Sequence, residues 1–413
     1  MSAPRAELLI VNARLWSDGG TLPKRDALAV AGGRIRAVGV RSALESRVGP
    51  RTRVIDARGA TVTPGLCDAH IHLLPWARQR SEVSLHDCGT REEALMRIRD
   101  FLARHPGGTP VAGRGWNADD WQEPPDRAAL DAVAPERPVV LHSRDFHALW
   151  VNSAALAEAG VTRRTADVEG GVIERDAALE PTGVLRENAV RLVRSVTDRA
   201  AAAAGEPRDL LERAARELHA LGITAVHDFE RGEAAFTAME RFARGGGGSA
   251  RVRVLQCVGP EDLDRVRSLR MRSGDGDDFF RVGALKLFAD GTLGSRTAAM
   301  LEPYDGTSER GLDLLPGAEL EADVARALDS GLSVAIHAIG DRACHRALDA
   351  FERTGDRRAR IALPCRIEHA QLVAPADLPR FAALGVAAAM QPLHCTSDIG
   401  LAERFWGSRR AGA

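Results

Sequence analysis

Residues 328–337 read Leu-Asp-Ser-Gly-Leu-Ser-Val-Ala-Ile-His, and this stretch decides the fold class. A helical pattern ends at Leu328, Gly331 follows, and the chain then continues as an apolar run typical of a β-strand. Glycine just past the last helical residue is a common C-terminal cap. The same succession of helix, glycine and strand recurs at residues 210–226 and 378–390. Strands that alternate with helices predict a parallel sheet, either open or closed into a barrel.

The chain divides into three predicted regions. Residues 1–60 contain short apolar runs around a Gly32-Gly33 turn, which predict a small all-β module. Residues 75–205 predict an inserted α+β lobe, in which a capping box at residues 90–93 begins a helix. Residues 61–74 and 206–413 carry the alternating pattern, and we predict seven strands in them, near residues 67, 225, 255, 285, 335, 367 and 388.

Composition excludes several classes of function. The 413 residues are 45% hydrophobic with a formal net charge of −1, which argues against a nucleic-acid or anionic-membrane partner. The sequence contains no run of 18 apolar residues, so it predicts no membrane-spanning helix. Met1–Glu7 lacks the apolar core of a signal peptide, and the six cysteines show no C-x-x-C spacing. We therefore expect buried, reduced thiols in a cytoplasmic protein. The glycine run at residues 245–248 has no Lys-Ser/Thr after it, which predicts a connector and not a phosphate loop.

Two histidines end the strand-like run at residues 64–72. His70 and His72 are two positions apart, so in a strand both side chains would point to the same face. Imidazole is a common ligand for zinc and related cations. The alternative is a pair of unrelated strand histidines, because a short motif is a hypothesis until its structural context is known.

Three further ligand-type side chains end predicted strands: Lys286, His337 and His369. The carboxyl ends of barrel strands converge on one pocket. A lysine inside an apolar strand is costly to bury as a cation, and burial lowers its pKa. The neutral amine can add carbon dioxide to form a carbamate, whose two oxygens can bridge two metal ions. The alternative is that Lys286 pairs with Asp290 or Glu368.

Taken together, these motifs resemble the amidohydrolase superfamily, and within it the amidohydrolase-3 branch that includes N-substituted formamide deformylases. The resemblance implies an α/β fold, a TIM-like (β/α)8 barrel of metal-dependent hydrolases. It also implies that residues 1–60 form half of a β-sandwich. The matching stretches are residues 64–72, 286–296, 336–341 and 367–370 in the barrel, and residues 113–117 and 150–153 in the lobe.

The resemblance implies one or two divalent metal ions, zinc in the first instance. His70 and His72 would bind the more buried ion, carboxylated Lys286 would bridge, and His337 and His369 would bind the second ion. Lys286, His337 and His369 are therefore also the candidate catalytic residues. The partner implied is a small-molecule substrate, and a homodimer is left open.

Candidate substrate contacts are less specific. Side chains that could line the pocket, each with an equal structural alternative, are Trp116, Asn117 and His142 in the lobe and Arg296 after the lysine strand. His394 matches a family position near the site.

The chain departs from the family pattern after the seventh predicted strand. The family's last metal ligand is an aspartate at the end of strand eight, which also acts as general base. Here the chain passes through residues 391–394 and ends at Ala413 with no eighth strand. Asp398 falls in the loop or helix after strand seven, so we do not assign it that role. We therefore expect a C-terminally truncated barrel.

The leading hypothesis is a metal-dependent hydrolase of a non-peptide C–N bond of the amide or formamide type. One alternative is a catalytically impaired remnant that lacks the strand-eight aspartate. Another is a hydrolase of esters or lactones on the same site.

Overall fold

The computed structural model describes residues 5–17, 20–118, 121–144, 147–245 and 250–407. Most of the predicted glycine connector, residues 246–248, lies outside the described residues. The chain separates into two compact units, Met1–Cys67 and Asp68–Ala413. The predicted boundaries at residues 60, 74 and 205 stay predictions. No helix in the described ranges is both long and apolar enough to cross a membrane.

The first unit is a small β module, as predicted. Its described elements are β1 (Leu8–Val11), β2 (Arg14–Ser17), β3 (Gly20–Thr21), β4 (Ala27–Ala31), β5 (Arg34–Gly39), the single-turn helix α1 (Arg41–Leu44), β6 (Arg53–Asp56) and β7 (Thr61–Val62). They pair in the orders β5-β4-β1-β6 and β3-β2-β7. Gly32 and Gly33, at φ of 60° and 68°, form the turn of the predicted β4–β5 hairpin. These left-handed angles suit glycine, which has no Cβ.

A second sheet follows the first barrel strand, β8 (Leu66–Ile71), and helix α2 (Leu73–Gln79). Its described elements are β9 (Val83–Ser84), α3 (Arg91–Arg104), β10 (Val111–Trp116), α4 (Arg127–Asp131), β11 (Val139–Ser143), β12 (Ala148–Val151), α5 (Ser153–Glu158), β13 (Gly171–Arg175), β14 (Pro181–Glu187) and α6 (Arg194–Ala203). The strand order is β13-β14-β12-β11-β10-β9. Helix α3 begins where the sequence predicts, because the Thr90 side chain accepts a hydrogen bond from the Glu93 N–H.

Seven strands within the described ranges form the barrel sheet, in the order β20-β19-β18-β17-β16-β15-β8. The remaining elements are α7 (Pro207–Ala220), β15 (Ile223–Asp228), α8 (Glu233–Arg244), β16 (Arg253–Val258), α9 (Leu263–Ser268), β17 (Phe280–Phe288), α10 (Gly317–Asp329), β18 (Val334–Ala338), α11 (Asp341–Arg353), β19 (Arg366–His369), α12 (Leu378–Leu384), β20 (Ala387–Ala389), α13 (His394–Ser397) and α14 (Ile399–Trp406). The pairs from β15 to β20 are parallel. All seven predicted strands are confirmed, and across the described ranges the fold is a TIM-like barrel sheet of seven strands.

Each barrel strand has one face toward the helices and one toward the barrel interior. In β17, Leu285 packs in the core between strands and helices, whereas Ala284 packs in an interior cluster that includes Ala335 of β18. Because strand side chains alternate, Lys286 shares the inward face of Ala284, and His337 shares that of Ala335. The alternation therefore directs both candidate ligands into the barrel.

The cysteine prediction is confirmed in part. All six cysteines lie in the described residues, and none of them forms a disulfide there. Four are buried as predicted: Cys88, Cys257, Cys344 and Cys365. Burial is the wrong prediction for Cys67 and Cys395, which are exposed. Cys67 lies on β8, at one end of the sheet order, and Cys395 lies in α13, after the strand at the other end.

Candidate active site

Four histidine rings come together where β8, β18 and β19 end. The ring centroids of His70 and His369 are 4.9 Å apart, and those of His337 and His369 are 4.6 Å apart. His72 follows β8, with its ring centroid 6.0 Å from that of His70. The register of β18 and β19 places Ala338 opposite His369 and so brings the two strand ends level. The four predicted histidines therefore lie at one site, and their role as metal ligands stays a prediction.

Each of these rings has one nitrogen held by an oxygen atom. The pairs are His70 Nδ1 with Glu368 Oε2 at 2.6 Å, His72 Nδ1 with Glu230 Oε2 at 3.0 Å, His369 Nδ1 with Gln391 Oε1 at 2.6 Å, and His337 Nε2 with the Gly291 carbonyl at 2.9 Å. Carboxylate and carbonyl oxygens only accept, so the bonded nitrogen of a neutral ring carries the proton. The opposite nitrogen keeps its lone pair, which is Nδ1 in His337 and Nε2 in the other three. Such acceptors regularly orient metal-binding imidazoles.

Burial favours the neutral form of three of these imidazoles, those of His70, His337 and His369. It lowers the pKa of His337 to about 4 and that of His369 to about 3, and it also lowers the pKa of His70. A buried imidazolium loses hydration that its surroundings do not replace, so the neutral ring is favoured. At neutral pH a metal ion would therefore meet little competition from protons for these nitrogens.

Lys286 is buried beside this cluster, with 1% of its surface exposed. Its Nζ has no hydrogen-bond partner among the described residues and lies 4.8 Å from the ring centroid of Phe229 and 5.0 Å from that of Phe288. Burial lowers the pKa of this amine to about 8. The alternative of a hydrogen-bonded pair with Asp290 or Glu368 is therefore not observed. Both Glu368 oxygens are occupied, one by His70 and one by Arg366.

The donor set fits a divalent metal by its chemistry. Imidazoles with free lone pairs lie next to a buried amine that has no hydrogen-bond partner in the described part of the chain. Such an amine has a reduced pKa, which makes carboxylation accessible. Among the described residues, no group of three or more His, Cys, Asp or Glu side chains has the closed geometry of a metal cage. Each ring is turned instead toward its own acceptor oxygen.

The backbone is strained where it presents His369. His369 and Ala370 have φ of 71° and 43°, a left-handed conformation that side chains with a Cβ rarely adopt. Such residues cost about 1–3 kcal/mol each and persist where surrounding contacts enforce them. The Ala370 N–H donates to the Ala338 carbonyl at 3.0 Å, which ties this turn to the end of β18. Strain of this kind clusters at functional sites.

Asp290 joins the loops that follow β17 and β18. Its buried carboxylate accepts the N–H groups of Ala299 at 2.9 Å, Ile339 at 3.0 Å and Gly340 at 2.8 Å. A Cβ on Gly340 would lie 2.0 Å from the Ala299 carbonyl oxygen, so the close approach of the two loops requires glycine there. Asp290 therefore links the backbone of the two loops that lie next to His337.

We expect Asp290→Ala to lower the free energy of unfolding by roughly 3 kcal/mol or more, because each buried N–H left unsatisfied costs about 1–3 kcal/mol. Urea denaturation measures this loss. Asp198→Ala is the control, since Asp198 is exposed on α6 and lies 3.5 Å from Arg194. We expect that surface change to cost less than about 1 kcal/mol. Equal losses in the two variants would show that Asp290 does not hold the loops.

His394 is the substrate-contact candidate that lies nearest the histidine cluster. Its ring centroid is 5.7 Å from that of His369, and its Nδ1 is 2.9 Å from Asp398 Oδ2. Asp398 also accepts from Gln371 Nε2 at 2.9 Å. These side chains line a cleft of about 250 Å³ next to His369, which is closed on its apolar side by Met390, Ile399, Ala402 and Trp406.

None of the other candidates lines this cleft. Trp116 is buried in the core of the second sheet, where its Nε1 donates to the Leu141 carbonyl at 2.8 Å. Trp116 and Asn117 line a separate cavity of about 300 Å³. His142 lies in β11, and burial lowers its pKa. The Arg296 guanidinium lies 3.7 Å from Glu309. Their predicted substrate contacts stay predictions.

Sequence reasoning missed the side chains that orient the imidazoles. Arg366 and Glu368 occupy alternate positions of β19, and charged residues at i and i+2 in an otherwise buried strand are a usable signal. Glu230 and Gln391 give no such signal, because both lie in loops after their strands.

Comparison with known proteins agrees with this fold. The sequence model of the Amidohydrolase family matches residues 53–413. The chain is 33% identical to Protein LONG AFTER FAR-RED 3 of Arabidopsis thaliana over 98% of this chain and 71% of that protein. It is 31% identical to the N-substituted formamide deformylase of Arthrobacter pascens over 92% of this chain and 72% of that enzyme.

A solved structure is also similar. The crystal structure of an uncharacterized metal-dependent hydrolase from Pyrococcus furiosus superposes with a TM-score of 0.76 at 28% identity, covering 98% of this chain and 81% of that one. The resemblance deduced from the strand-end motifs is therefore confirmed. The match over residues 53–413 shows that the chain belongs to the amidohydrolase family, a family of hydrolases.

Proposed function

We propose that this protein is a metal-dependent hydrolase of a non-peptide C–N bond in a small amide or formamide. The observation that carries the proposal is the cluster of four imidazoles, each with one nitrogen bonded and the other free, around the end of β19. His70, His72, His337 and His369 would hold the metal, and carboxylated Lys286 would bridge two ions. When bound, a divalent metal supplies Lewis acidity to the substrate carbonyl.

The amide part of the proposal is supported by family membership and by a relative named N-substituted formamide deformylase. The cleft next to His369 adds a physical argument. Its volume of about 250 Å³ suits a small molecule, and its walls are mostly apolar. His394, held at Nδ1 by Asp398, would hydrogen-bond the polar end of the substrate from the cleft wall. The substrate we propose is an amide whose nitrogen carries a short apolar substituent.

The direct test is turnover by the purified, zinc-loaded protein of a panel of N-alkyl formamides, with the matching formate esters beside them. Amide turnover would support the proposal. Turnover of esters alone would favour the ester-hydrolase alternative, and an inactive protein that still binds zinc would favour the impaired remnant.

Filling the cleft should change which substrates are accepted. Ile399 is 47% exposed and lines the cleft, so Ile399→Trp reduces its volume without disturbing the core. We expect kcat/KM for N-butylformamide to fall at least about tenfold, while that for N-methylformamide stays within about threefold, because each methylene group is worth about 1–3 kcal/mol in such a pocket. Steady-state kinetics on both substrates measures the ratio.

Leu378→Trp is the matched control for this change. Leu378 is 56% exposed and, like Ile399, is the first residue of its helix, but it does not line the cleft. We expect it to leave both substrates unaffected. A substrate ratio that is the same in the two tryptophan variants would show that the substituent binds elsewhere.

A further inference from the structure

A chain of hydrogen-bonded polar side chains runs from His70 into the barrel interior. Glu368 Oε2 lies 2.6 Å from His70 Nδ1, and Glu368 Oε1 accepts from Arg366 Nε at 2.5 Å. Arg366 Nη1 lies 2.7 Å from His227 Nδ1, and Arg366 Nη2 donates to the Ala69 carbonyl at 2.7 Å. Arg366 therefore contacts both the carboxylate that holds the His70 ring and the backbone next to His70.

Glu368 and Arg366, at the centre of this series of hydrogen bonds, are largely buried. The Glu368 side chain is 0% exposed and the Arg366 side chain is 12% exposed. Burying an ion pair removes the hydration of both charges, and apolar residues of similar size often stabilise a fold as well or better. Stability alone therefore gives little reason for Arg366 and Glu368 on the inward face of β19, where Ala335 of the neighbouring strand is apolar.

We propose that Glu368 and Arg366 are positioning residues of the candidate metal centre. Glu368 holds the proton of His70 on Nδ1 and so turns the Nε2 lone pair toward the other imidazoles. Arg366 fixes the Glu368 carboxylate and, through the Ala69 carbonyl, the strand that carries His70. This inference rests on the proposed metal-dependent function, since it assigns the residues that prepare one of its ligands.

His227 is the residue at the far end of this chain of hydrogen bonds, beyond Arg366. Its Nδ1 faces an Arg366 N–H, so this nitrogen accepts and the ring is neutral. Burial lowers the pKa of His227 to about 4, in agreement with a neutral ring. Arg366 thus has an acceptor on each of its three nitrogens: a carboxylate, an imidazole and a carbonyl. A guanidinium that is bonded at each of its three nitrogens is held in one orientation, as a positioning residue must be.

The pair of His72 and Glu230 provides a matched comparison. It joins the same residue types at 3.0 Å, but the two side chains are 50% and 34% exposed. Water can replace Glu230 as the acceptor for His72, whereas the His70 side chain is only 12% exposed and so is less accessible to water. The two pairs should therefore respond differently when the carboxylate is removed.

The experiment uses the full chain with [15N]histidine and reads two quantities. Nitrogen NMR of the metal-free protein reports the tautomer of each of the 12 histidines, with His70 identified by the signal lost in His70→Gln. Competition with a chromophoric chelator measures zinc affinity. For Glu368→Leu we expect a mixture of His70 tautomers and a loss of zinc affinity of about 10- to 100-fold, the range typical of such supporting residues.

Two further variants separate positioning from general damage. Glu368→Leu leaves the Arg366 charge buried without its carboxylate, which could damage the fold by itself. The double change Arg366→Met with Glu368→Leu removes both charges, so it tests the loss of the Glu368 acceptor without an unpaired buried charge. Glu230→Leu should leave the His70 tautomer unchanged and reduce zinc affinity less than Glu368→Leu.

A single Nδ1–H tautomer of His70 with undiminished zinc affinity in the double variant would overturn the proposal. The failure of the metal-dependent function is a different result, in which the unchanged protein binds no zinc. In that case the NMR signal of His70 alone still decides whether Glu368 sets its tautomer.

Discussion

Lys286→Met should lower kcat/KM for an amide substrate at least about 1000-fold while the protein stays folded. The amine is buried and has no hydrogen-bond partner among the described residues, so its removal leaves no other side chain unsatisfied. Methionine has a similar length and no charge, and it cannot form a carbamate. A bridging ligand that organises two metal ions contributes several kcal/mol to the transition state, and about 1.4 kcal/mol corresponds to a factor of ten.

The same change should raise the stability of the metal-free protein. In the folded state the pKa of Lys286 is about 8, below its ordinary value of 10.5. Folding therefore carries a cost of roughly 3 kcal/mol at pH values below about 8, where the amine is charged in both states. The cost declines between pH 8 and 10.5, because the folded amine loses its proton before the unfolded one, and it is absent at higher pH.

Urea denaturation at pH 7 and pH 10 measures both parts of this effect. Lys286→Met should be more stable than the unchanged protein at pH 7, and the difference should shrink at pH 10. Lys24→Met is the control, because Lys24 is exposed and is the other lysine of the chain. A Lys286→Met protein that keeps its turnover and its original stability would contradict both the buried charge and the bridging role.

Removal of metal with a chelator should abolish turnover, and addition of zinc should restore it. Two of the imidazoles that would bind the metal are kept neutral, because burial lowers the pKa of His337 to about 4 and that of His369 to about 3. Protons therefore compete with the metal for these two rings only near or below pH 4. We expect the bound metal to persist down to about pH 5, whereas exposed histidines would release it near their ordinary pKa of about 6.5.

Metal content after equilibration between pH 4 and pH 7, measured by elemental analysis, tests this expectation. His337→Gln should lose most of the metal at every pH in that range. His219→Gln is the control, since His219 is exposed on α7 and away from the site. Turnover that survives complete removal of metal would exclude the proposed chemistry, and equal metal loss from both variants would exclude His337 as a ligand.

Much of the fold was predictable because its signals are local. The seven barrel strands lie where glycine-capped helices and apolar runs place them, and the hairpin at Gly32 and Gly33 follows from the φ that glycine tolerates. Exposure was less predictable. Cys67 lies in β-prone sequence, yet it is exposed, because burial depends on which elements cover a strand and not on the strand itself.

The candidate site, like the fold, was predictable from the sequence only in part. That His70, His72, Lys286, His337 and His369 end barrel strands follows from the sequence by itself, because side-chain alternation and parallel pairing direct strand-end residues to one pocket. The tertiary structure decides which nitrogen of each ring carries the proton and which carboxylate holds it. Glu368 lies 298 positions along the chain from the His70 ring that it orients. Only the packing of the first barrel strand against the interior face of β19 brings them within 2.6 Å, since no local pattern links residues so far apart.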